Sequence, residues 1–431
     1  MRKCMLLGFV AFGLMTILFS EAMAQTRVGG VRADAENTWS QSSTPSGRIA
    51  AGNLKVVPAL TLEEVYDDNI YLASGINNTS EKIESDWIFH AMPGLLLDYT
   101  LQGRGYVRLG YQGDYAYYKD FDDNDWKDHI GFFDFDYRAP GGLLFAVKNV
   151  YVDATDPYGS DNLYNLGVQT ERWYDDLNTK LGYDFGNQFK AFFYYDYYKQ
   201  DYDEDEDFTQ DWTVNQFGAG FEMRIAPKTW GFLRYHYGYR DYYTHPEGSG
   251  VTDRNDADFD FHRVSSGLTW DSGAKFAGEL LFGYEWRNHD NEFDSLGNRY
   301  DDRDTWVAAT RLDYFATSAT TLSLYLIRAV RDTGSNTFQY YTDTGIKVGL
   351  AHQFWSKFTL TAEAGYSFYD YNFPVNPVKE ADNYLGSLGI SYKFCNWLTG
   401  GVAYAYLEQD SNYPEDDYTD NRFTVSLRAV Y

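Results

Sequence analysis

Apolar and polar residues alternate along most of this chain, and the alternation is cleanest at its end. Over 422–431, Phe423, Val425, Leu427, Ala429 and Tyr431 fall on one parity, and Arg422, Thr424, Ser426 and Arg428 on the other. Successive side chains of a strand point to opposite faces, so the period predicts a strand with one apolar side. The same pattern recurs upstream. Phe358, Leu360, Ala362, Ala364, Tyr366 and Phe368 alternate with Thr359, Thr361, Glu363 and Ser367. Phe276, Leu280, Phe282, Tyr284 and Trp286 oppose Glu279, Glu285 and Arg287, while Phe217, Ala219, Phe221 and Met223 oppose Gln216, Glu222 and Arg224. Val107, Leu109, Tyr111, Tyr115 and Tyr117 oppose Arg108, Gln112 and Asp114. Over 143–153 and 322–331 the alternation blurs, and bulges are expected there.

About eighteen such segments fit between 54 and 431, each roughly ten to fifteen residues long. Every second connection is short and turn-like, as at Gln102-Gly103, Gly141-Gly142, Pro227-Lys228 and Trp355-Ser356; the others are longer and polar. Acidic clusters sit in the longer connections (120–125, 201–207, 253–260, 301–304, 415–417), whereas the short turns carry Arg104, Arg138, Lys228, Lys275 and Lys357, with Asp271 the exception. After Gln25 no long apolar run could cross a membrane as a helix, but a tilted strand of about ten residues can cross with alternate side chains in lipid. The expected fold is all-β: an antiparallel transmembrane outer-membrane β-barrel of about eighteen strands, with sixteen or twenty as alternatives. Both termini are expected on the periplasmic side, because the strand count is even.

Composition strengthens this picture. The chain holds 40 Tyr, 30 Phe and 11 Trp in 431 residues, which suits aromatic girdles at the two membrane interfaces. Tyr195, Tyr197, Tyr237, Tyr239, Tyr242 and Tyr243 are expected in those girdles. Arg2 and Lys3, an apolar run over 5–19 and Ala22-Met23-Ala24 read as a cleaved secretory signal peptide over 1–24. Its removal takes away two positive charges and one negative, moving the net charge from −27 to −28. Cys4 leaves with it, and Cys395 alone cannot form an intrachain disulfide. The segment 25–53 reads as a flexible periplasmic lead-in, with a small plug in the barrel mouth as the alternative, and 54–431 as the barrel.

If the apolar faces meet lipid, the opposite faces line the bore. The candidate lumen residues are Arg108, Asp114, Lys180, Glu222, Arg224, Arg234, Arg263, Glu279, Glu285, Arg287, Arg311, Glu363, Lys393 and Arg428. Against hydrocarbon an Arg or Lys would cost about 2–4 kcal/mol at midplane, so these positions belong inside. They fit either a solvated, mutually paired wall or a constriction selecting a charged or sugar solute. Tyr194, Tyr198 and Tyr369 share the lumen parity and are candidates for stacking against sugar rings. The acidic clusters lack the glycine spacing of a calcium loop; a solvated rim facing lipopolysaccharide is the expected role. No metal or cofactor is expected. The seven histidines are scattered, and His262 and Ser265 stand on opposite faces of one segment, so neither a catalytic site nor an enzyme is expected. No basic patch suggests nucleic acid.

The start of the barrel carries a family signal. Val57-Pro58-Ala59-Leu60-Thr61-Leu62-Glu63-Glu64-Val65-Tyr66-Asp67-Asp68-Asn69-Ile70-Tyr71 is followed by Asp86-Trp87-Ile88 and then Pro93-Gly94-Leu95-Leu96-Leu97-Asp98-Tyr99. This resembles the β-barrel porin type 2 family of Gram-negative outer-membrane proteins. The final strand, with Phe423, Val425, Leu427 and a terminal Tyr431, resembles the signal read by the barrel-assembly machinery. Family members are often encoded with exopolysaccharide genes. The resemblance therefore implies a channel contributing to exopolysaccharide export, with a periplasmic polysaccharide-export lipoprotein and a co-polymerase as partners. A diffusion or oligosaccharide-uptake porin is the alternative reading of the same bore.

Overall fold

The computed structural model describes residues 49–76, 82–156, 170–186, 188–203, 211–242, 258–270, 273, 275–293, 299–300, 303–332, 340–372 and 378–431. The expected signal peptide and most of the expected lead-in lie outside the described residues. The strands are β1 (Ile49–Ala51), β2 (Leu54–Asp67), β3 (Asp86–Thr100), β4 (Gly105–Tyr118), β5 (Trp126–Arg138), β6 (Leu143–Asp156), β7 (Thr170–Asp184), β8 (Phe189–Tyr202), β9 (Trp212–Ala226) and β10 (Thr229–Tyr242). They continue with β11 (Phe259–Trp270), β12 (Phe276–His289), β13 (Arg303–Thr317), β14 (Thr320–Asp332), β15 (Tyr340–Phe354), β16 (Phe358–Asn372), β17 (Glu380–Lys393), β18 (Leu398–Ser411) and β19 (Tyr418–Val430). Each of β2 to β19 pairs antiparallel with its sequence neighbours, and β19 pairs with β2, closing an eighteen-stranded barrel.

Closure is secured by local contacts at both ends of the ladder between the first and last strands. The β19–β2 ladder runs only from Arg422↔Asp67 to Val430↔Ala59. Beyond its short-turn end the Tyr431 N–H donates to the Pro58 carbonyl, and β1 then takes over the same edge, from Ala51↔Leu54 to Ile49↔Val56. Pro58 stands at this changeover, where its missing N–H is not needed by either partner. At the other end, the Asp68 carboxylate accepts the backbone and side-chain N–H groups of Asn421, at 2.7 and 2.8 Å. Buried Asn69 exchanges hydrogen bonds with Ala73 and donates to the Thr419 carbonyl at 3.1 Å. The Tyr-Asp-Asp-Asn-Ile segment thus staples the first strand to the last.

A second device repeats around the long-connection end. In four hairpins an Asp at the head of the descending strand accepts the last N–H of the ascending one. The pairs are Tyr118 to Asp125, Tyr202 to Asp211 and Tyr242 to Asp258, each at 2.7 Å, and Ser411 to Asp417 at 2.6 Å. An aromatic residue follows each of these aspartates: Trp126, Trp212, Phe259 and Tyr418. Hydrogen bonds to an ionised acceptor are stronger than neutral ones, so each hairpin is tied where its ladder would otherwise fray. Asp125, Asp258 and Asp417 belong to the acidic clusters expected as a solvated rim; each also ties its own hairpin, with Asp125 exposed and Asp258 and Asp417 half-buried.

The two faces separate as the period predicts. Leu109, Leu233 and Leu388 are 53–56% exposed on the convex face, whereas Arg263 and Glu285 on the concave face are 6% and 3% exposed. The blurred segments contain no bulge: β6 and β14 hold continuous register against β7 and β15. The register shifts fall at Thr229/Trp230 and Phe315/Thr317 instead. Alternation is blurred in β6 because buried Ala146, Val152 and Ala154 occupy inner positions too. Short turns take left-handed backbone: Gln102 and Gly103 have φ of 47° and 78°, and Trp355 and Ser356 have 46° and 64°, as two-residue hairpin turns require.

Candidate functional site

The inner wall is built in two unlike parts. From β7 to β12 it is crowded. Lys180, Lys190 and Arg234 surround Glu222 at 3.6, 3.3 and 3.9 Å, and Arg234 forks onto both oxygens of Glu279 at 2.9 and 2.7 Å. Aromatic rings fill the gaps: Lys180 lies over Phe192 at 3.7 Å, Lys190 over Trp230 at 3.5 Å and Arg224 over Trp230 at 4.3 Å. One tier nearer the long connections, Glu285 bonds to both Arg263 and Arg287. Arg240 lies over Trp212 at 3.9 Å, and Arg287 over Phe259 at 4.2 Å. Buried charges are tolerated only when paired and hydrogen-bonded; a ladder of alternating signs, insulated by rings, satisfies that condition.

From β15 to β18 many inner positions at mid-barrel and toward the short turns are small (Gly345, Gly349, Gly365, Ser367, Ser387, Gly389, Ser391, Gly401, Ala403 and Ala405), whereas nearer the long connections Tyr341, Tyr369 and Tyr371 form a buried cluster. The Lys347–Glu363 pair crosses this wall at 3.6 Å with side chains 34% and 40% exposed. Here the concave face meets open space.

All fourteen candidate lumen residues share the inner parity, but they do not form one site. Lys180, Glu222, Arg234 and Glu279 join one network, and Arg263, Glu285 and Arg287 another; Arg224 flanks the first. Arg108 pairs with Asp98 at 3.6 Å and Asp114 with His90 at 3.1 Å on the β3–β4 wall. Arg311 sits opposite Glu279 in register and over the Tyr325 ring at 5.3 Å. Lys393 and Arg428 stand half-buried near the short turns. The expected stacking role needs correction for Tyr198 and Tyr369, which are buried among other rings, whereas Tyr194 stays half-buried on the inner wall. Tyr198 stacks on Trp212 at 4.6 Å, Tyr194 packs on His236 at 5.5 Å and Tyr369 packs on Tyr341 at 5.0 Å. Tyr242, expected in a girdle, packs inward against the Tyr198–Trp212–Phe259 cluster; Tyr243 lies outside the described residues. Arg240 was not singled out from sequence. Its parity with Arg234 was the available signal.

At the long-connection rim, Lys379 and Asp416 form a buried ion pair at 2.8 Å, with Lys379 over the Tyr371 ring at 4.6 Å. Burial, helped by the Asp417 charge, pushes the Asp416 carboxyl up to about 7. Burial draws the Lys379 ammonium down to about 7 against the opposing pull of Glu415. No cluster that could hold a metal ion occurs among the described residues.

A closed barrel with an apolar convex face and a charged concave one is the architecture of an outer-membrane channel. The model of the family described as "Putative beta-barrel porin 2" matches residues 43–431. The chain belongs to that family. This porin matches no curated protein. Among solved structures it is similar to a BenF-like porin from Pseudomonas fluorescens, at 10% identity over 87% of this chain and 99% of that one, with a TM-score of 0.45. Acinetobacter baumannii OccAB4 matches at 12% identity, covering 87% and 98% with a TM-score of 0.43. Pseudomonas aeruginosa OccK3 matches at 11%, covering 87% and 96% with a TM-score of 0.42.

Proposed function

We propose that this porin is a diffusion channel for small hydrophilic solutes, with the short turns in the periplasm and the long connections outside. The observation that carries the reading is the small, polar wall of β15–β18 with its water-exposed Lys347–Glu363 pair. An eighteen-stranded barrel is too wide for its own side chains to fill. At mid-barrel the charged and aromatic inner residues of β7–β12 crowd one side, while the small residues of β15–β18 leave a passage on the other; the Tyr341–Tyr369–Tyr371 cluster fills that second wall only nearer the long connections. Such a one-sided bore suits small solutes better than the polymer export implied by the family resemblance, because the Arg–aromatic ladder narrows the cross-section.

Purified barrel in liposomes tests this directly. Swelling should be fast with monosaccharides and fall steeply through di- and trisaccharides, and deleting the gene should leave surface polysaccharide intact. A closed barrel in bilayers, with surface polysaccharide lost on deletion, would restore the export reading.

A further inference from the structure

Among the described residues, the β13–β14 ladder ends well short of its two strands. Strand β13 pairs with β12 from Arg287↔Arg303 to Phe276↔Tyr314, and β14 pairs with β15 up to Asp332↔Tyr340. Between β13 and β14, however, the ladder stops at Ala308↔Arg328. Residues 303–307 and 329–332 therefore face each other without ladder bonds at the long-connection end. A comparable shortfall occurs between β5 and β6, but there the Asp128 carboxylate accepts the Thr155 N–H at 2.9 Å and stands in for the ladder.

Two guanidinium groups bridge the β13–β14 seam. Arg287, on the concave face, reaches past β13 to the Val330 carbonyl of β14 at 3.4 Å. Arg328 has the outward parity of Ala308 and Trp306, lies over the Trp306 ring at 4.6 Å and donates to Thr344 Oγ1 at 2.5 Å. Its other nitrogen donates to Thr305 Oγ1 at 3.4 Å, although Thr305 has the inward parity of its register partner Glu285. That hydrogen bond passes through the wall. In lipid every backbone polar group needs a partner, and side-chain bridges of this kind can be exchanged for another anion or acceptor, whereas ladder bonds cannot without unzipping the strand.

We propose that the β13–β14 seam is a lateral port for a single-chain amphiphile with an anionic head. The head binds Arg328 in exchange for the Thr305 and Thr344 hydroxyls, Arg287 releases only the Val330 carbonyl and keeps Glu285, and the tail leaves across the exposed Trp306 into the outer leaflet. The proposal rests on the diffusion-channel reading for the orientation of the barrel.

The test is a reversible lock. Val307→Cys with Ala329→Cys, at the positions that continue the register, is made in a Cys395→Ser background, and palmitate transfer into and out of proteoliposomes is followed alongside monosaccharide swelling. Oxidation should cut palmitate transfer about tenfold, leave swelling unchanged, and be reversed by reductant. Arg328→Gln, which needs no disulfide, should weaken palmitate binding about tenfold with swelling unchanged. Palmitate transfer indifferent to both changes overturns the port. Absent monosaccharide swelling in the reduced protein overturns the channel reading separately, because palmitate transfer is scored on its own.

Discussion

The walls of β7–β12 and β15–β18 use the same ion-pair chemistry to opposite ends. On the crowded side, Arg263 and Glu285 have side chains only 7% and 4% exposed and are boxed in by Phe261, Phe259 and Arg287. On the open side, Lys347 and Glu363 are 34% and 40% exposed between glycines and serines. Parity along the strand is identical in the two cases. The size of the neighbours differs, and that decides whether a charge pair braces the wall or faces water.

The comparison breaks most visibly at Glu285. Glu285→Ala leaves Arg263 and Arg287 buried without their shared carboxylate, a loss of about 3–5 kcal/mol; the unfolding midpoint in detergent should drop clearly, and an unchanged midpoint would refute the bracing role. Next come the hairpin ties. Asp211→Ala or Asp258→Ala removes a charged acceptor worth roughly 1.5–3 kcal/mol, so the Tyr202 or Tyr242 amide should exchange faster by one to two orders of magnitude while mid-strand amides do not change. On the open wall, Ser387→Trp puts a ring into the passage and should cut single-channel conductance roughly by half without a stability loss; the same conductance would place the passage elsewhere.

The rim pair sharpens the picture through pH. Burial raises Asp416 from 3.8 to about 7, so its contribution to rim stability is full below 3.8 and is lost as pH rises toward 7. Lys379 is lowered from 10.5 to about 7, so its contribution is full above 10.5 and is lost as pH falls toward 7. Lys379→Met should leave only the first dependence, with residues 412–417 opening more as pH rises from 4 to 7. Asp416→Asn should leave only the second, with opening growing as pH falls from 10 to 7. Matching profiles in the two variants, followed by amide exchange, would show that burial does not control either group. The smallest stability effect is expected for Lys347→Gln, about 0–1 kcal/mol for so exposed a pair. Its readout is the reversal potential, which should shift toward cation selectivity.

Strand number, the sidedness of each strand and the alternation of turn lengths were legible in the sequence, since all follow from a period of two interrupted by turn residues. The inner parity of the charged candidates was legible for the same reason. The networks were not: Glu222 meets Lys180 and Arg234 from strands 42 and 12 positions away in the chain, and no period specifies which height on one strand faces which height on the next. Tyr198 and Tyr369 had the parity expected of ligand-stacking rings, but the rings beside them covered their faces. The Asp–aromatic pair heading descending strands was visible all along, and its repetition at Asp125-Trp126, Asp211-Trp212, Asp258-Phe259 and Asp417-Tyr418 could have marked the hairpin ends.

By itself, then, the chain determined a closed antiparallel barrel and which side chains point inward, because side-chain direction is a local property of extended backbone. Only the tertiary structure decided where the bore is filled and where it is open, which aspartates tie hairpins, and where the β13–β14 ladder ends. Those outcomes depend on the register between strands and on the volumes of neighbours brought together by it, and neither quantity is written in any single segment.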